Sequence, residues 1–545
     1  MFSRIPFALS AATLLAATAV MTSRAAGPDV PDPGPDPGAA PLADLWTDAP
    51  LQLAAHDHAV TATRVDTITV TGRGPLSAAD AARQALEHVP GATELIEADQ
   101  WRHSAARTLK DVLDYSAGVF VQPKWGEDAR LSIRGSGLSR NFHLRGVALL
   151  VDGIPMNAAD GSADFQAIDP TAFAYSEVYK GANALRYGAN SLGGALNFAS
   201  PTGRTGDALS LRADAGSFDL QRAQVAGGGQ RGAFDAHASA SWLQADGFRD
   251  HSDGESLRGS ANFGWRLTPN LETRLYVMGA DIDQRIPGSL SREQALRSPR
   301  SAAPGNLDLD YQRNIQSWRV ASKTSLNVGA SRFEVGGYSV EKRLIHPIFQ
   351  YLDYDYRDHG AFLRATFEQS LAGHANRLIV GLNLFDGQVD NQQFRNLPGG
   401  VAGELLSASK DRADNRVLYV EDQFSLKPTL TVVAGLQRVD ATRRRADRFD
   451  DAIDTSGRQG YDLTSPRLGL LWQPSGQVQV FANISKSAEA PTFAELNFTN
   501  AALARTRAQR ATTVEIGTRG QHGALGWDVA VYRAELRGEF QFFDL

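Results

Sequence analysis

The stretch LSIRGSG at Leu131–Gly137, together with LRGVALLVDGIPMN at Leu144–Asn157 and EVYKGANALRYGANSLGGALN at Glu177–Asn197, decides the fold of this 545-residue chain. Short apolar runs such as Val147–Val151 alternate here with glycine-containing turns. Such an alternation predicts short strands that are joined by tight turns. We therefore expect a small, tightly turned sheet in this part of the chain.

Beyond Asp207 the sequence changes to a sustained alternation of apolar residues with small or polar ones. The pattern recurs in segments that include Leu209–Ala215, Ala236–Trp242, Leu378–Leu384, Leu430–Leu436, Val478–Ile484 and Leu525–Val531. Alternation of this kind predicts antiparallel strands with one apolar face. The sequence contains no second apolar layer that could cover this face, so we expect lipid to cover it.

These features resemble the TonB-dependent outer-membrane receptors, and within that family the ferric dicitrate type. The resemblance covers most of the chain from about Asp66 onward. It implies an all-β transmembrane β-barrel, 22-stranded in the family, with an N-terminal α+β plug domain inside its lumen. We count about fifteen strands, and the terminal aromatic residue typical of the family is absent. The sequence therefore indicates a C-terminally truncated barrel.

The chain divides into five regions. Residues 1–26 read as a secretory signal peptide, with a basic start, an apolar core and a small-x-small cleavage site. Residues 27–65 are rich in Pro, Gly and Asp and predict a flexible tether. Residues 66–71 form a short β-prone segment, residues 78–203 are expected to form the plug, and residues 207–545 the incomplete barrel. In the plug, the helical spacing of three apolar residues, Leu109, Val112 and Leu113, predicts a helix with one buried face. We expect this helix to end at Gly118.

Composition excludes some classes of protein. The net charge is −6, so a nucleic-acid-binding protein with a basic surface is not expected. No G-x-S-x-G or H-E-x-x-H motif and no cysteine occurs, and we therefore predict no catalytic residue, no metal ligand and no cofactor. After the N-terminus there is no run of eighteen apolar residues, so we expect no transmembrane helix.

The segment DTITVT at residues 66–71 alternates Thr with Ile or Val in an otherwise mobile tail. An unpaired segment of this kind can add a strand to a partner's exposed sheet edge. It resembles the TonB box of the family, although it could instead be the first strand of the next domain. The predicted TonB contacts are Asp66, Thr67, Ile68, Thr69, Val70 and Thr71.

The resemblance also implies a latch between plug and barrel. In the family, basic plug residues face inward-pointing barrel glutamates. Arg134 and Lys180 match the plug positions, Glu515 matches a barrel position, and Glu421 is a second barrel candidate. The alternative for each is an ordinary solvated charge in the lumen.

Ligand contacts are expected on the apex loops of the plug and on long external loops. We predict such loops near residues 284–312, 345–360, 391–413, 446–461 and 487–510. Arginine and lysine would suit an anionic chelate, but surface charges of this kind are often simply solvated. The candidate ligand residues are Lys124, Trp125, Asp160, Gln166, His346, Tyr351 and Arg395.

The sequence thus predicts a receptor, not an enzyme, that imports a ferric siderophore or ferric citrate across the bacterial outer membrane. The implied partners are the TonB energy-transducing complex, the ferric chelate, outer-membrane lipid and the barrel-assembly machinery, and the protein is expected to be a monomer. Cobalamin, copper or an oligosaccharide remain alternative cargoes, because loops do not reveal ligand class. A barrel fragment that acts as an adhesin or phage-docking surface is a further alternative. A passive porin-like channel is disfavoured by the plug and the box.

Overall fold

The structure is a computed structural model that describes residues 77–137, 145–188, 191–496, 498 and 504–541. The predicted signal peptide, tether and TonB box lie outside these residues. They therefore stay predictions.

The first described domain, the N-terminal domain, extends from Ala78 to Ala199 and contains the short apolar strands and glycine turns that the sequence predicts. Its described helices and strands are α1 (Ala78–Glu87), β1 (Thr93–Glu97), α2 (Leu109–Leu113), β2 (Val119–Pro123), β3 (Ala129–Ile133), β4 (Val147–Val151), β5 (Ile154–Pro155), β6 (Tyr175–Lys180) and β7 (Gly194–Ala199). Five of the strands form a sheet in the order β1–β6–β7–β4–β5, in which β4 and β7 are parallel and the other pairs antiparallel. The remaining pair, β2 and β3, forms a separate hairpin.

Short polar side chains begin the two helices of this domain. Ser77 Oγ accepts a hydrogen bond from the Asp80 main-chain nitrogen at 3.0 Å, and Thr108 pairs with Asp111 in a capping box. The α2 helix ends at Leu113. The prediction that it continues to Gly118 was therefore wrong, because a hydrogen-bonded turn at Leu113–Ser116 already ends the helix. Gly118 instead takes a left-handed conformation, with φ at +76°, in front of β2.

The predicted apolar strand at Val147–Val151 is confirmed as β4, and it lies in the core of the domain. Leu149, Val178, Leu196 and Phe198 are each at most 1% exposed. Complete burial of one such side chain stabilises a fold by about 1.5–3 kcal/mol. This core holds the domain together and so fixes the positions of its loops.

Gly194, at the start of β7, offers a test of this packing. Its φ is +131°, and a Cβ added there would lie 1.9 Å from the Tyr179 main-chain oxygen. Backbone strain and overpacking each cost about 1–3 kcal/mol. We therefore expect Gly194→Ala to destabilise the domain by about 2–6 kcal/mol, measured as faster cleavage of the domain in limited proteolysis.

The control for this prediction is Gly460→Ala. No atom lies within 4 Å of a Cβ added at Gly460, so its proteolysis should match that of the parent protein. Equal protease resistance of the Gly194→Ala and parent proteins would contradict the prediction.

The fifteen remaining strands of the described chain form a single antiparallel sheet, which agrees with the predicted number of about fifteen. Each strand pairs with its neighbours in chain order, so that β8 and β22 are at the two edges. The strands are β8 (Ser210–Gly216), β9 (Leu220–Arg231), β10 (Phe234–Ala245), β11 (Gly254–Thr268), β12 (Leu271–Gln284), β13 (Asn314–Val328), β14 (Ser331–Pro347), β15 (Gln350–Leu371), β16 (His374–Leu397), β17 (Val401–Lys427), β18 (Leu430–Asp447), β19 (Gly457–Ser475), β20 (Val478–Glu489), β21 (Gln509–His522) and β22 (Leu525–Arg537).

The connections differ between the two ends of this large sheet. One end, the turn end, has two-residue connections such as 232–233 and 269–270. The other, the loop end, has the connections 285–313 and 490–508, and the first of these contains the short helices α3 (Arg292–Arg297) and α4 (Pro304–Asp308). Short turns at one end and long loops at the other are typical of outer-membrane barrels.

Two of the predicted external loops are strands instead. Residues 345–360 and 391–413 fall largely within β14–β15 and β16–β17, which continue to tight turns. These residues are polar, so the sequence predicted loops. Cross-strand side-chain pairs nevertheless continue the hydrogen-bonded ladder of a sheet where neither face of the strand is apolar. One such pair is Tyr351 with Phe394, whose ring centroids are 6.3 Å apart.

The two faces of the large sheet have different surroundings. The inner face contacts the N-terminal domain, for example where Asn383 Nδ2 donates to the Tyr187 main-chain oxygen at 2.8 Å. The outer face exposes large apolar side chains, including Leu418 and Leu468. Within the described ranges, no helix has the length and apolar character needed to cross a membrane.

Candidate functional site

The first candidate site joins the N-terminal domain to the inner face of the sheet at Glu515. Arg134 Nη2 lies 2.5 Å from Glu515 Oε1, and the two side chains are only 7% and 1% exposed. The carboxylate also accepts hydrogen bonds from the Ala92 main-chain nitrogen at 3.0 Å, from Asn183 Nδ2 at 3.2 Å and from Asn483 Nδ2 at 3.0 Å. Three of these four donors belong to the N-terminal domain. Glu515 is therefore a shared acceptor between the two parts of the chain.

The IRG sequence explains how Arg134 reaches this position. Arg134 follows β3 with φ at +55°, and Gly135 continues the turn with φ at +84°. A Cβ added at Gly181 would lie 3.0 Å from Arg134 Nη1, so a glycine there leaves room for the guanidinium group. The same group lies over the Tyr532 ring, 4.1 Å from its centroid.

The structure differs from the latch prediction for Lys180 and Glu421. Lys180 Nζ lies 2.7 Å from Glu94 Oε2, within the N-terminal domain, because β1 pairs with β6 and brings Glu94 close. Glu421 pairs with Arg467 of the same sheet at 3.3 Å. Arg467 Nη2 in turn donates to Asn183 Oδ1 at 3.0 Å, so Glu421 reaches the domain only through a second residue.

The second candidate site lies towards the loop end, where the connection between β5 and β6 (residues 156–174), which we call the apical loop, meets the sheet. Arg313 Nη1 donates to Gln166 Oε1 at 2.6 Å, and its Nη2 donates to Asp164 Oδ2 at 2.7 Å. Arg258 Nε donates to the Gln166 main-chain oxygen at 2.7 Å. Gln166 is only 2% exposed. These bonds hold the loop in place, so Gln166 acts first as a structural residue.

Asp160 is held from the other side of the same loop. Its main-chain oxygen accepts from Arg443 Nη2 at 2.9 Å, and its Oδ2 accepts from the Phe493 main-chain nitrogen at 3.3 Å. Residues of the sheet and of its loops thus position both predicted apex residues, Asp160 and Gln166.

Charged side chains cluster around Arg313. We call this cluster the vestibule floor; its members are Lys124, Glu127, Asp128, Asp164, Arg258, Arg313 and Lys342. Lys124 Nζ lies 3.2 Å from Asp128, Arg258 lies 2.8 Å from Glu127, and Lys342 lies 3.8 Å from Asp164. Burial raises the pKa of Asp128 even though Arg313 and Lys124 lie nearby. The cluster holds four cations against three carboxylates, and this excess of positive charge favours an anion.

The other predicted ligand residues divide into two groups. Trp125 lies beside Lys124, whose Nζ is 5.4 Å from the centroid of the indole ring. His346 Nδ1 donates to the main-chain oxygen of Gln312 at 2.5 Å, and Gln312 directly precedes Arg313 in the chain. Tyr351 and Arg395 lie on the hairpins of the loop end instead. Arg395 is exposed and lies 3.4 Å from Glu404. The structure therefore brings Lys124, Trp125, Gln166 and His346 towards the vestibule floor and leaves Tyr351 and Arg395 at its rim.

Sequence reasoning missed Arg258, Arg313, Lys342 and Arg443. Every second residue of a barrel strand faces inward, and this alternation could have indicated Arg258, Lys342 and Arg443 as inward-facing residues. Their partners on the apical loop follow only from the packing of the N-terminal domain against the sheet. Arg313 directly precedes β13, and no pattern in the sequence distinguishes it from a solvated loop residue.

A family model described as "TonB dependent receptor-like, beta-barrel" matches residues 236–545, and one described as "TonB-dependent Receptor Plug Domain" matches residues 85–195.

Two curated relatives and one solved structure illustrate the similarity. A metal-pseudopaline receptor of Pseudomonas aeruginosa is 23% identical over 356 residues, which is 57% of this chain and half the length of that receptor. A vitamin B12 transporter of Photobacterium profundum is 21% identical over 510 residues, 90% of this chain and 73% of that protein. The crystal structure of the ferric citrate transporter FecA, in its unliganded form, superimposes with a TM-score of 0.72 and 16% identity, over 84% of this chain and 71% of that one. At 16% identity, the similarity to the ferric citrate transporter concerns the fold alone.

Proposed function

Because this chain belongs to the TonB-dependent receptor family, which is located in the bacterial outer membrane, we propose that it imports a ferric chelate, either a siderophore complex or ferric citrate. Members of the family are transport receptors and not enzymes. The N-terminal domain is then the plug and the large sheet the barrel. In this proposal the TonB complex engages Asp66–Thr71 from the periplasm, and the receptor acts as a monomer that the barrel-assembly machinery inserts.

The observation that supports an anionic chelate is the vestibule floor. Arg258, Arg313 and Lys342 converge from three barrel strands or their ends, and Lys124 approaches from the plug. Guanidinium groups bind carboxylate-rich ligands through paired, charge-assisted hydrogen bonds. The oxygens of an arriving chelate can replace Asp164 as acceptors of the Arg313 hydrogen bonds. The attachment of Arg313 to the apical loop then becomes weaker.

Arg313→Ala tests this assignment. Loss of a charge-assisted contact worth about 1.5–3 kcal/mol should weaken chelate binding about 10–100-fold. Binding is measured by quenching of tryptophan fluorescence in the purified receptor, with ferric citrate, a ferric hydroxamate siderophore and cyanocobalamin as separate ligands.

The control is Arg395→Ala, which removes the same charge from an exposed pair at the rim and should change affinity by less than about 3-fold. Equal affinities of the Arg313→Ala and parent receptors for every ferric chelate would contradict the role of the floor. Binding of cyanocobalamin alone would favour the second candidate function, cobalamin import, which the similarity to a vitamin B12 transporter over 90% of this chain suggests.

A further inference from the structure

A row of arginines crosses the outer face of the barrel near its loop end. Arg412 on β17 lies directly opposite Arg444 on β18, and Arg444 lies directly opposite Arg458 on β19. The row continues from Arg412 through Gln388 on β16 to Arg357 on β15. Neighbouring strands are about 4.8 Å apart. Five successive strands thus carry four guanidinium groups in one row, three of them on adjacent strands.

The alternation of buried and exposed residues fixes the face on which this row lies. Asp411 and Ala413, on either side of Arg412, are each only 2% exposed. Arg443, next to Arg444, points inward to the plug, where it donates to the Asp160 main-chain oxygen. Arg357, Arg412, Arg444 and Arg458 themselves are exposed. They therefore point away from the lumen and away from the chelate.

The arrangement is electrostatically unfavourable unless an anion is present. Like charges directly opposite each other destabilise a sheet. Among the described residues, none lies within ion-pair distance of Arg412, Arg444 or Arg458, and none accepts a hydrogen bond from their guanidinium groups. Asp386 acts on Arg412 electrostatically, and Asp355 acts on Arg357, both from beyond 4 Å.

Other exposed arginines of the same face do have partners. Arg343 pairs with Asp353, Arg438 with Asp462, and Arg533 with Glu535. The arginines of the row differ from these three in having no carboxylate within ion-pair distance among the described residues.

The height of the row narrows the choice of partner. Leu418 on β17 is 56% exposed on the outer face and marks the upper part of the apolar band. Arg412 lies six residues further towards the loop end, which is about 20 Å along a strand and about 15 Å above the band for a tilt of about 40°. The headgroup zone of an ordinary bilayer is only about 5–8 Å thick on each side. A phospholipid phosphate would therefore lie well below the row.

We propose that Arg412, Arg444 and Arg458, extended by Arg357, bind phosphate groups on the sugar headgroup of a glycolipid in the outer leaflet. Arginine binds phosphate in a bidentate geometry. Adjacent strands repeat that geometry about every 4.8 Å, so phosphates carried on successive sugars can each meet one or two guanidinium groups. The row is thereby neutralised, and the extended hairpins are held upright against the lipid.

The test compares the full chain with the triple variant R412S/R444S/R458S in detergent, with bound lipid counted by native mass spectrometry. The probe is a lipopolysaccharide whose core sugars carry phosphate. The other ligands are the same lipid with its core sugars dephosphorylated, phosphatidylglycerol, and inorganic phosphate. The matched control R343S/R438S/R533S removes three arginines of the same face that already have carboxylate partners.

We expect the triple variant to bind the phosphorylated probe about ten-fold or more weakly, and the control variant to bind it like the parent. Unchanged tryptophan quenching by the chelate verifies that both variants are folded. The proposal is overturned if the triple variant retains the probe, if the control loses it equally, or if the dephosphorylated lipid or phosphatidylglycerol binds as well. Displacement of the probe by millimolar inorganic phosphate would also overturn it, since the site would then be one for the free anion.

Discussion

Deletion of Asp66–Thr71 is expected to reduce uptake of the ferric chelate by intact cells to the background level, while binding of the chelate at the cell surface stays unchanged. The segment alternates Thr with Ile or Val and can add a strand to the sheet edge of a partner through main-chain hydrogen bonds. The vestibule floor lies on residues between Lys124 and Lys342, so removal of a segment before residue 72 leaves it intact. The measurement is uptake of radioactive iron and, at 0 °C, its binding.

The control for this deletion removes residues 28–33, which shortens the predicted tether by the same number of residues and retains the box. It should transport like the parent receptor. Uptake by the Asp66–Thr71 deletion at the parent rate would show that the segment is not the coupling site and would favour its alternative role as an ordinary strand.

Replacement of Glu515 by alanine is expected to destabilise the seating of the plug by about 3–5 kcal/mol. The substitution leaves Arg134 buried without its carboxylate, and it also leaves the amides of Asn183 and Asn483 and the Ala92 main-chain nitrogen without this acceptor. An uncompensated buried charge costs far more than the net stabilisation that the intact pair provides. Denaturant unfolding followed by tryptophan fluorescence measures the loss, and Trp101 and Trp125 of the plug report on it.

Two further variants separate the pair from its surroundings. The double variant Arg134→Ala with Glu515→Ala should cost less than the sum of the single changes, because the buried charge has been removed with its partner. Glu404→Ala breaks an exposed pair and should change stability by no more than about 1 kcal/mol. Additive costs in the double variant would contradict a direct interaction, and an unfolding curve of Glu515→Ala that matches the parent would contradict the latch.

The architecture was largely predictable because period-2 alternation is a local property of the chain. Segments such as Leu430–Leu436 and Leu525–Val531 lie in strands as predicted, and the run Val147–Val151 forms a core strand of the plug. The alternation does not report where a strand ends once both of its faces are polar. For that reason β16 and β17 extend through residues that the sequence placed in a loop.

The candidate sites were less predictable because they depend on pairs that are distant in the chain. Arg134 and Glu515 are separated by 381 positions and meet at 2.5 Å, at the places that the family resemblance had indicated. The same resemblance placed Lys180 opposite the barrel, but it could not include Glu94, which β1 brings beside β6. Arg313 gave no signal, since a single arginine before a strand is indistinguishable from a solvated one.

The most direct measurement of the central claim is uptake of a radioactive ferric chelate by cells in which this chain is the only receptor, before and after the proton gradient is collapsed. A plugged, TonB-coupled importer predicts that surface binding persists after collapse while internalised iron falls to the level of cells without the receptor. Internalisation at an unchanged rate after collapse would contradict the account, because iron would then pass through the barrel without a pull on the plug.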